Sequence, residues 1–407
     1  MTARDDGRTA DERRDGGLSR RRVLGLGGAA GVGLASALVR AEPASALTSS
    51  SFLYNVKDAP YLAVGDGVAD DTTAINNALA AAGTAGGGIV YLPPGTYKIT
   101  NVLNVPGGVW FQGVGFVPNE GAVPTGSVLW GTNSAASMVR MNGRGAHISD
   151  IAFRQTQNLA APTAYQPAIN VAANDATIER VFLYNVYDGI FLTPPGGLGL
   201  GRMVVRHVTG QPLHYGIRVN GATDVVKVSD VHFWPYAGTS TWTQANGIGI
   251  LSERNDNPHF ANVFCFGYGI GMKLAAGATG PTLRLRLSNG DFDLCGTGLV
   301  MEGGSTAQVT NFTMSSGSAG VNISGNSVLQ LANCRVSSVS TNGIRVATGS
   351  QLYVDTVIVE GWNTSGLGFP GIENVGGGAF SVVVGRTRAF GAGGGAPTVS
   401  AGVTLDA

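Results

Sequence analysis

The chain has 407 residues, of which 43% are hydrophobic and only 13% are charged, and its formal net charge is zero. This balance, without a basic patch or an aromatic-plus-basic motif, argues against nucleic acid as a partner. Glycine is the unusual component, because its 63 residues are about twice the average share and have no three-residue period. They sit among Val, Ile, Leu and Thr, which favours many tight turns between short strands.

The first 46 residues have the pattern of an export signal. Residues 19–24 read SRRRVL, a twin-arginine sequence, and an apolar stretch follows from Leu24 to Val39. Ala44-Ser45-Ala46 fits a small-residue cleavage site. The apolar stretch is shorter than the roughly 20 residues of a membrane-spanning helix, although a membrane anchor is the alternative interpretation. The sequence thus predicts a twin-arginine signal peptide over 1–46 and a secreted product with no membrane attachment after signal removal.

Residues 65–99 predict a helix followed by a strand. Asp70 or Asp71 is placed to cap a helix over 72–82, in which Ile75 and Leu79 lie one turn apart on an apolar face. The glycine run 86–88 ends that helix, 89–92 forms a strand, and Pro93-Pro94-Gly95 turns the chain.

This segment resembles the opening module of the pectate lyase superfamily, which includes proteins related to family 28 glycoside hydrolases. The resemblance implies an all-β fold, a right-handed parallel β-helix with a short N-terminal capping α-helix. A cap-and-turn role explains Asp66, Asp70 and Asp71 fully, so these carboxylates are not expected to be catalytic. We expect a single β-helix domain over 47–407, with the cap and first strands in 47–110, the central rungs in 148–360 and the C-terminal end in 361–407.

From residue 148 the sequence repeats at intervals of 22 to 32 residues. A polar turn residue precedes a short alternating strand in each repeat, at Asp150, Arg180, Arg206, Asp230, Asn262, Asn289, Asn311, Asn333 and Asp355. A glycine followed by an apolar residue announces a second strand, as in Gly189-Ile190 and Gly216-Ile217. The Asn and Asp turns are expected to stack and to link successive coils by side-chain hydrogen bonds. Cys265, Cys295 and Cys334 are expected to be small buried residues without a metal or disulfide role.

The repeats with long insertions are the expected site of function. Insertions occur at 154–167, 194–202, 234–246 and 252–261, and the third of them contains Trp234, Tyr236 and Trp242. Aromatic faces stack on sugar rings, although the same side chains are also suited to packing as a loop core. Strand alternation points His232, Trp234 and Asp293 outward.

The leading hypothesis is a secreted glycoside hydrolase or transglycosylase with two carboxylates in a groove on the central rungs. The catalytic candidates are Glu253, Asp293, Glu302 and Asp256. The candidates for binding a polysaccharide or oligosaccharide are Arg218, His232, Trp234, Tyr236, Trp242 and Lys273. A wider set of ionisable residues in the same rungs includes Asp188, His207, His214 and Asp291.

Two other functions remain open. A polysaccharide lyase needs a base and a group that neutralises the substrate carboxylate, often calcium, which is the only cofactor expected and only in that case. A non-catalytic carbohydrate-binding or adhesin β-helix is the third possibility. The chain lacks the Asn-Thr-Asp and Gly-His-Gly patterns of polygalacturonases and the Arg-x-Pro-x-x-Arg pattern of pectate lyases, which puts pectin in doubt as the substrate. A monomer and a homotrimer are both compatible with the sequence.

Overall fold

The computed structural model describes residues 52–337, 339–375, 382–393, 398–401 and 403–405. The expected signal peptide lies outside these residues. Within them the chain has two α-helices, α1 (Thr72–Thr84) and α2 (Thr241–Asn246), and otherwise winds through short strands that pair in parallel with the strands of the next coil. The expected right-handed parallel β-helix with an N-terminal capping helix is confirmed.

One strand of each coil belongs to a ladder that we call stack A. Its free-standing members are β5 (Leu103–Val105), β9 (Val139–Met141), β11 (Ile169–Val171), β13 (Ile190–Leu192), β15 (Tyr215–Val219), β17 (Ile248–Ser252), β20 (Ile270–Leu274), β26 (Ile344–Val346) and β28 (Ile372–Asn374). The C-terminal ends of two long strands, β23 (Leu285–Met301) and β24 (Thr306–Ile323), complete it between β20 and β26.

The remaining backbone of most coils is one strand with a bend, whose two halves form stack B and stack C. These bent strands are β10 (His147–Gln155), β12 (Thr177–Tyr184), β14 (Val204–Gln211), β16 (Lys227–Phe233), β19 (His259–Phe266), the starts of β23 and β24, β25 (Val328–Ser337) and β27 (Gln351–Glu360). At the N-terminal end, stack B begins with β1 (Leu53–Asn55), β3 (Gly88–Leu92) and β6 (Val109–Gly113), and stack C with β2 (Asp66–Asp70), β4 (Gly95–Ile99) and β8 (Ala122–Gly131).

Shorter strands close the ends and loops. Strand β7 (Phe116–Asn119) pairs antiparallel with β8. A small separate sheet contains β18 (Asn255–Asp256), β21 (Ala276–Gly277) and β22 (Gly280–Leu283). At the C-terminal end β29 (Val382–Val384) and β31 (Thr404–Leu405) extend stack B, and β30 (Thr387–Phe390) extends stack C.

The bend between stacks B and C is a single residue in the left-handed backbone region. The residues with positive φ at this bend are Asp150, Arg180, His207, Asp230, Asn262, Asn289, Asn311, Asn333 and Thr356. Asn and Asp tolerate this conformation better than other non-glycine residues, which explains their recurrence. In two coils the predicted turn residue is off by one position, because His207 and Thr356, not Arg206 and Asp355, take the bend.

Side chains at this bend join neighbouring coils, as the repeats predict. Asn333 donates to Asn311 at 2.6 Å and Asn311 donates to Asn289 at 3.2 Å. Asn262 donates to Asp230 at 2.8 Å. Successive coils are thus tied at one corner by a ladder of amide and carboxylate groups.

The core is a continuous apolar column inside the three stacks. Alternate residues of the strands, such as Ile151, Phe153, Val231 and Phe312, are buried, and all three cysteines are buried and free. Burial raises the pKa of each thiol, so the thiols stay protonated and behave as apolar side chains.

The N-terminal cap confirms the structural role of its carboxylates. Asp71 is the N-cap residue of α1, but its side chain accepts from the backbone N–H groups of Val64 and Gly65. The hydrogen bond to the start of the helix comes instead from Asp70, which accepts from the N–H of Thr72 at 3.0 Å. Ile75 and Leu79 are fully buried, as the apolar face requires.

Candidate active site on stack A

The outward face of stack A alternates between charged and apolar side chains in the central coils. Parallel register aligns Phe191, Arg218, Leu251, Lys273 and Val300 on five successive strands. Neighbouring coils lie about 4.8 Å apart, so these side chains form one line along the helix axis. The two cations lie two coils apart on this line.

Each of these cations is held by a predicted catalytic carboxylate. Arg218 donates through Nε to Oε2 of Glu253 at 2.8 Å and through Nη2 to Oε1 at 3.1 Å, a two-point ion pair. Lys273 forms an ion pair with Glu302. Glu253 and Glu302 therefore anchor cations on stack A, which is a different arrangement from two free carboxylates facing each other across a bond.

A second group of polar side chains lies at the entry to β13 and β15. Nδ1 of His214 lies 3.0 Å from Oδ1 of Asp188, and the backbone N–H of Tyr215 donates to the same oxygen at 3.2 Å. A carboxylate only accepts, so the hydrogen bond places the imidazole proton on Nδ1 and leaves Nε2 as an acceptor. The His214 side chain is 24% exposed and the Asp188 side chain 12%, which places the imidazole in reach of a ligand with the carboxylate behind it.

Aromatic rings hold this group and connect it to Arg218. The rings of His214 and Tyr215 lie 3.7 Å apart, and the guanidinium of Arg218 lies 6.0 Å from the Tyr215 ring and 5.4 Å from the Phe191 ring. Burial acts to lower the pKa of Arg218, but Glu253, with contributions from Tyr215 and Asp188, raises it above its ordinary value. Arg218 is therefore a permanent cation beside the imidazole.

Helix α2 covers the other side of the imidazole. The centre of the Trp242 ring lies 5.9 Å from that of His214 and 5.7 Å from that of Tyr187. The ring centres of Tyr187 and His214 are 4.9 Å apart. Ser240 caps the helix by accepting from the N–H of Thr243 at 3.1 Å. The insertion 234–246 thus places one predicted sugar-binding residue, Trp242, against the His214 group.

The opposite side of α2 faces a cleft on stack C. Thr243, Gln244, Trp234 and Phe266 are among the residues lining this shallow cleft. The Trp234 and Phe266 rings lie 4.5 Å apart. Trp234 and Trp242 therefore belong to two different surfaces that α2 separates.

Two carboxylates on stack C lie one coil beyond these aromatic rings. Register pairs Phe264 with Asp291 and Phe266 with Asp293, on the same face of β23. Burial, and then the charge of Asp293, raise the pKa of Asp291 to about 6, and its Oδ1 is buried without a hydrogen-bond partner. Of the four catalytic candidates predicted from the sequence, Asp293 is the one that belongs to this pair.

The remaining predicted residues make structural contacts. Arg254 donates to both carboxylate oxygens of Asp256, at 2.7 and 3.1 Å. The Tyr236 ring packs edge-on against Phe182 at 5.0 Å, inside a small apolar cluster on the outside of stack C. His232 lies edge-on to Phe264 at 4.9 Å. Tyr236 thus takes the loop-core role that the sequence left open, and the binding roles of His232 and Trp234 stay predictions.

From the sequence, Asp188 and His214 were candidates only within the wider set of ionisable residues, and Tyr187 and Tyr215 were not candidates. Aligning the coils on their glycine markers, Gly189 and Gly216, would have placed Asp188 beside Tyr215, since each directly precedes the marker. This alignment is the signal in the sequence that could have revealed the group around His214.

No group of three or more His, Cys, Asp or Glu side chains suited to a metal ion occurs in the part of the chain that the structure describes. Over the same residues, neither helix has the length and apolar character to cross a membrane.

Comparisons with known proteins agree with this architecture. Residues 53–160 match the family described as "Rhamnogalacturonase A/epimerase, pectate lyase-like". Mannuronan C5-epimerase AlgE1 of Azotobacter vinelandii is 35% identical over 31% of this chain and 10% of its own length, and alginate lyase 7 of the same organism is 34% identical over 33% of this chain and 17% of its own. The chain thus spans less than a fifth of either relative.

A solved structure extends the comparison to most of the fold. The A-module of the Azotobacter vinelandii mannuronan C-5 epimerase AlgE6 superposes with a TM-score of 0.66 at 19% identity, covering 87% of this chain and 99% of that module. The family match ends before Asp188, so the residues of the candidate site rest on their own geometry. Residues 53–160 therefore resemble the pectate lyase-like family, and the superposition shows that the described chain has the right-handed parallel β-helix fold.

Proposed function

We propose that this protein is an enzyme that acts on an acidic polysaccharide by removing the proton at C5 of a uronate sugar. The observation that carries the proposal is the grouping of Asp188, His214, Tyr215 and Arg218 on one surface of stack A. A mannuronan C5-epimerase and an alginate lyase are among the relatives, and each name describes a reaction of a uronate polymer. Both reactions begin with loss of the proton beside the carboxylate.

The chemistry requires a base and a cation, and the site provides each. His214 has Nε2 free for the proton, since its Nδ1 is bound to Asp188. The carbanion that forms at C5 is stabilised when its charge spreads onto the uronate carboxylate. Arg218 binds that carboxylate through Nη1, because Nε and Nη2 are occupied by Glu253.

Elimination is the outcome that the arrangement favours. In elimination the electrons from the C–H bond form a double bond and expel the glycosidic oxygen, which then takes up a proton. His214 and Tyr215 lie against each other on stack A, and in this proposal Tyr215 donates the proton to the leaving oxygen. Epimerisation instead returns a proton to the opposite face of the ring and requires a donor there.

Turnover on defined polymers tests the proposal. The mature protein is incubated with polymannuronate, polyguluronate, polygalacturonate and neutral dextran, while the ultraviolet absorbance of unsaturated uronate and the exchange of C5 protons in deuterated water are followed. Absorbance with the acidic polymers supports elimination, and exchange without absorbance supports epimerisation. New reducing ends without either signal would contradict the proposal.

A glycoside hydrolase site on stack C is the second candidate, and the raised pKa of Asp291 favours it. An acid with a pKa of about 6 beside a second carboxylate is the division of roles that sugar hydrolysis uses. Asp291 and Asp293 are two residues apart on one face of a strand, so their Cα atoms are about 6.6 Å apart and their side chains project in the same direction. Reducing ends that disappear in Asp293→Asn but persist in His214→Gln would support this candidate over the first.

Export through the twin-arginine route is also part of the proposal and rests on the sequence of residues 19–46. Replacing Arg20 and Arg21 together by Lys is expected to retain the protein in the cytoplasm. Equal amounts of the unmodified protein and this double variant in the culture medium would contradict export through the twin-arginine route.

A further inference from the structure

Stack B carries a line of basic side chains that lies apart from the candidate site. Register aligns Lys227, His259 and Arg286 on three successive coils, and Arg284 lies two residues before the last of them. Lys227, Arg284 and Arg286 are exposed and His259 is half-buried. With coils about 4.8 Å apart, the line presents one basic group per coil.

These basic groups have no acidic partner. Among the residues that the structure describes, none of the four forms an ion pair with a carboxylate, and Arg286 makes its contact with the His259 ring at 3.4 Å. Asp224 lines the same depression as Lys227 and His259, but it is ion-paired with Arg202. Burial lowers the pKa of His259, and the charges of Arg286 and Lys227 lower it further, so the local potential is positive.

Amide and hydroxyl groups continue the same line. Gln308, Gln330 and Tyr353 follow Arg286 in register on the next three coils. Gln308 donates to Gln330 at 2.9 Å, which holds the two amides in a row. The six side chains, which we call the stack B line, span five coil spacings, or about 24 Å.

We propose that the stack B line is a second binding surface for an extended acidic polysaccharide, separate from the candidate site on stack A. The cations of Lys227, Arg284 and Arg286, without a carboxylate partner among the described residues, suit a polymer that carries carboxylates, and His259 and the amides suit its hydroxyl groups. The choice of a sugar polymer rests on the proposed function, while the polyanion chemistry rests on the stack B line alone. Such a surface holds a long substrate on the protein between turnovers.

Two matched double variants test the proposal. Lys227→Gln with Arg286→Gln removes two charges from the stack B line, and Arg386→Gln with Arg388→Gln removes two charges from exposed positions at the C-terminal end. Affinity electrophoresis and fluorescence anisotropy measure the binding of labelled polymannuronate, polygalacturonate, dextran and polyuridylate at low salt, where exposed charges are least screened.

The first double variant is expected to bind the acidic polysaccharides about tenfold more weakly, while the control pair binds them like the unmodified protein. Neither variant changes turnover of oligosaccharides too short to reach stack B. Unchanged affinity in the first pair, equal losses in both pairs, or tighter binding of polyuridylate than of either polysaccharide would overturn the inference. Absence of turnover on every uronate polymer, with the selective loss of binding intact, would overturn only the proposed function.

Discussion

Nδ1 of His214 lies 3.0 Å from Oδ1 of Asp188, and these two residues come from neighbouring coils of stack A. The contact fixes both the orientation of the imidazole and the nitrogen that carries its proton. Its Nε2 is then the nitrogen left to accept a proton. This pairing turns a histidine of the solenoid surface into a candidate base.

Asp188→Asn is expected to lower kcat by about 100-fold or more while changing KM little, because the amide no longer stabilises the imidazolium that proton abstraction creates. Steady-state kinetics on the best uronate polymer measure the effect. Asp224→Asn is the control, since it removes a carboxylate that pairs with Arg202 outside the candidate site. Comparable losses in the two variants would show that the effect is not specific to the His214 group.

Arg218→Lys is expected to raise KM for acidic polymers by about tenfold, since an ammonium group cannot hold Glu253 at two points and still offer a planar donor to the substrate. Arg345→Lys provides a matched control, because Arg345 pairs with Glu373 on the same face of stack A several coils away. A KM that rises equally in both variants would contradict the assignment of Arg218.

Asp291→Asn is expected to stabilise the protein above pH 6 and to have little effect below pH 4. The pKa of Asp291 is raised to about 6 in the folded state, so the folded protein holds a proton that the unfolded chain releases near pH 4. Stability is therefore lost as the pH rises through this interval, and the neutral amide avoids a loss of about 1–2 kcal/mol.

Thermal unfolding at several pH values measures this effect, with Asp355→Asn as a control of opposite sign. A hydrogen bond from Arg386 is the main cause that lowers the pKa of Asp355, so this carboxylate contributes stability that is lost on acidification. Parallel pH profiles for the unmodified protein and Asp291→Asn would show that Asp291 is not buried as described.

Asn311→Ala is expected to lower the free energy of unfolding by about 2 kcal/mol, since it breaks two hydrogen bonds of the corner ladder and leaves alanine at a φ of 53°. Asn311→Gly is expected to lower the free energy of unfolding by a smaller amount, because glycine adopts this backbone conformation without strain. Urea denaturation compares both with Thr313→Ala in the same coil. An alanine variant as stable as the glycine variant would exclude a contribution from the left-handed backbone.

The fold was predictable because each coil repeats the same local requirements. A left-handed turn residue, alternating apolar positions and a glycine before the stack A strand recur often enough to give the architecture and the buried face. The bend shifted by one residue at His207 and Thr356, where no Asn or Asp marks it. Loop contacts such as that of Tyr236 with Phe182 depend on a distant insertion, which sequence periodicity does not describe.

The candidate site was only partly predictable, because charged residues on adjacent coils either pair or remain free according to side-chain reach. The sequence named Arg218 and Lys273 as binding candidates, but it did not show that Glu253 and Glu302 neutralise them. The grouping of Asp188 with His214 depends on two loops that enter stack A side by side. Residue spacing within one coil does not contain that information.

Exchange of the C5 proton tests the central claim most directly. Polymannuronate and polygalacturonate are incubated in deuterated water with the mature protein and with His214→Gln, and nuclear magnetic resonance follows deuterium at C5 together with the unsaturated product. We expect proton loss at C5 with the unmodified protein and at least about 100-fold slower loss with His214→Gln. Cleavage of a polysaccharide without any reaction at C5, or an unchanged rate in His214→Gln, would contradict the account.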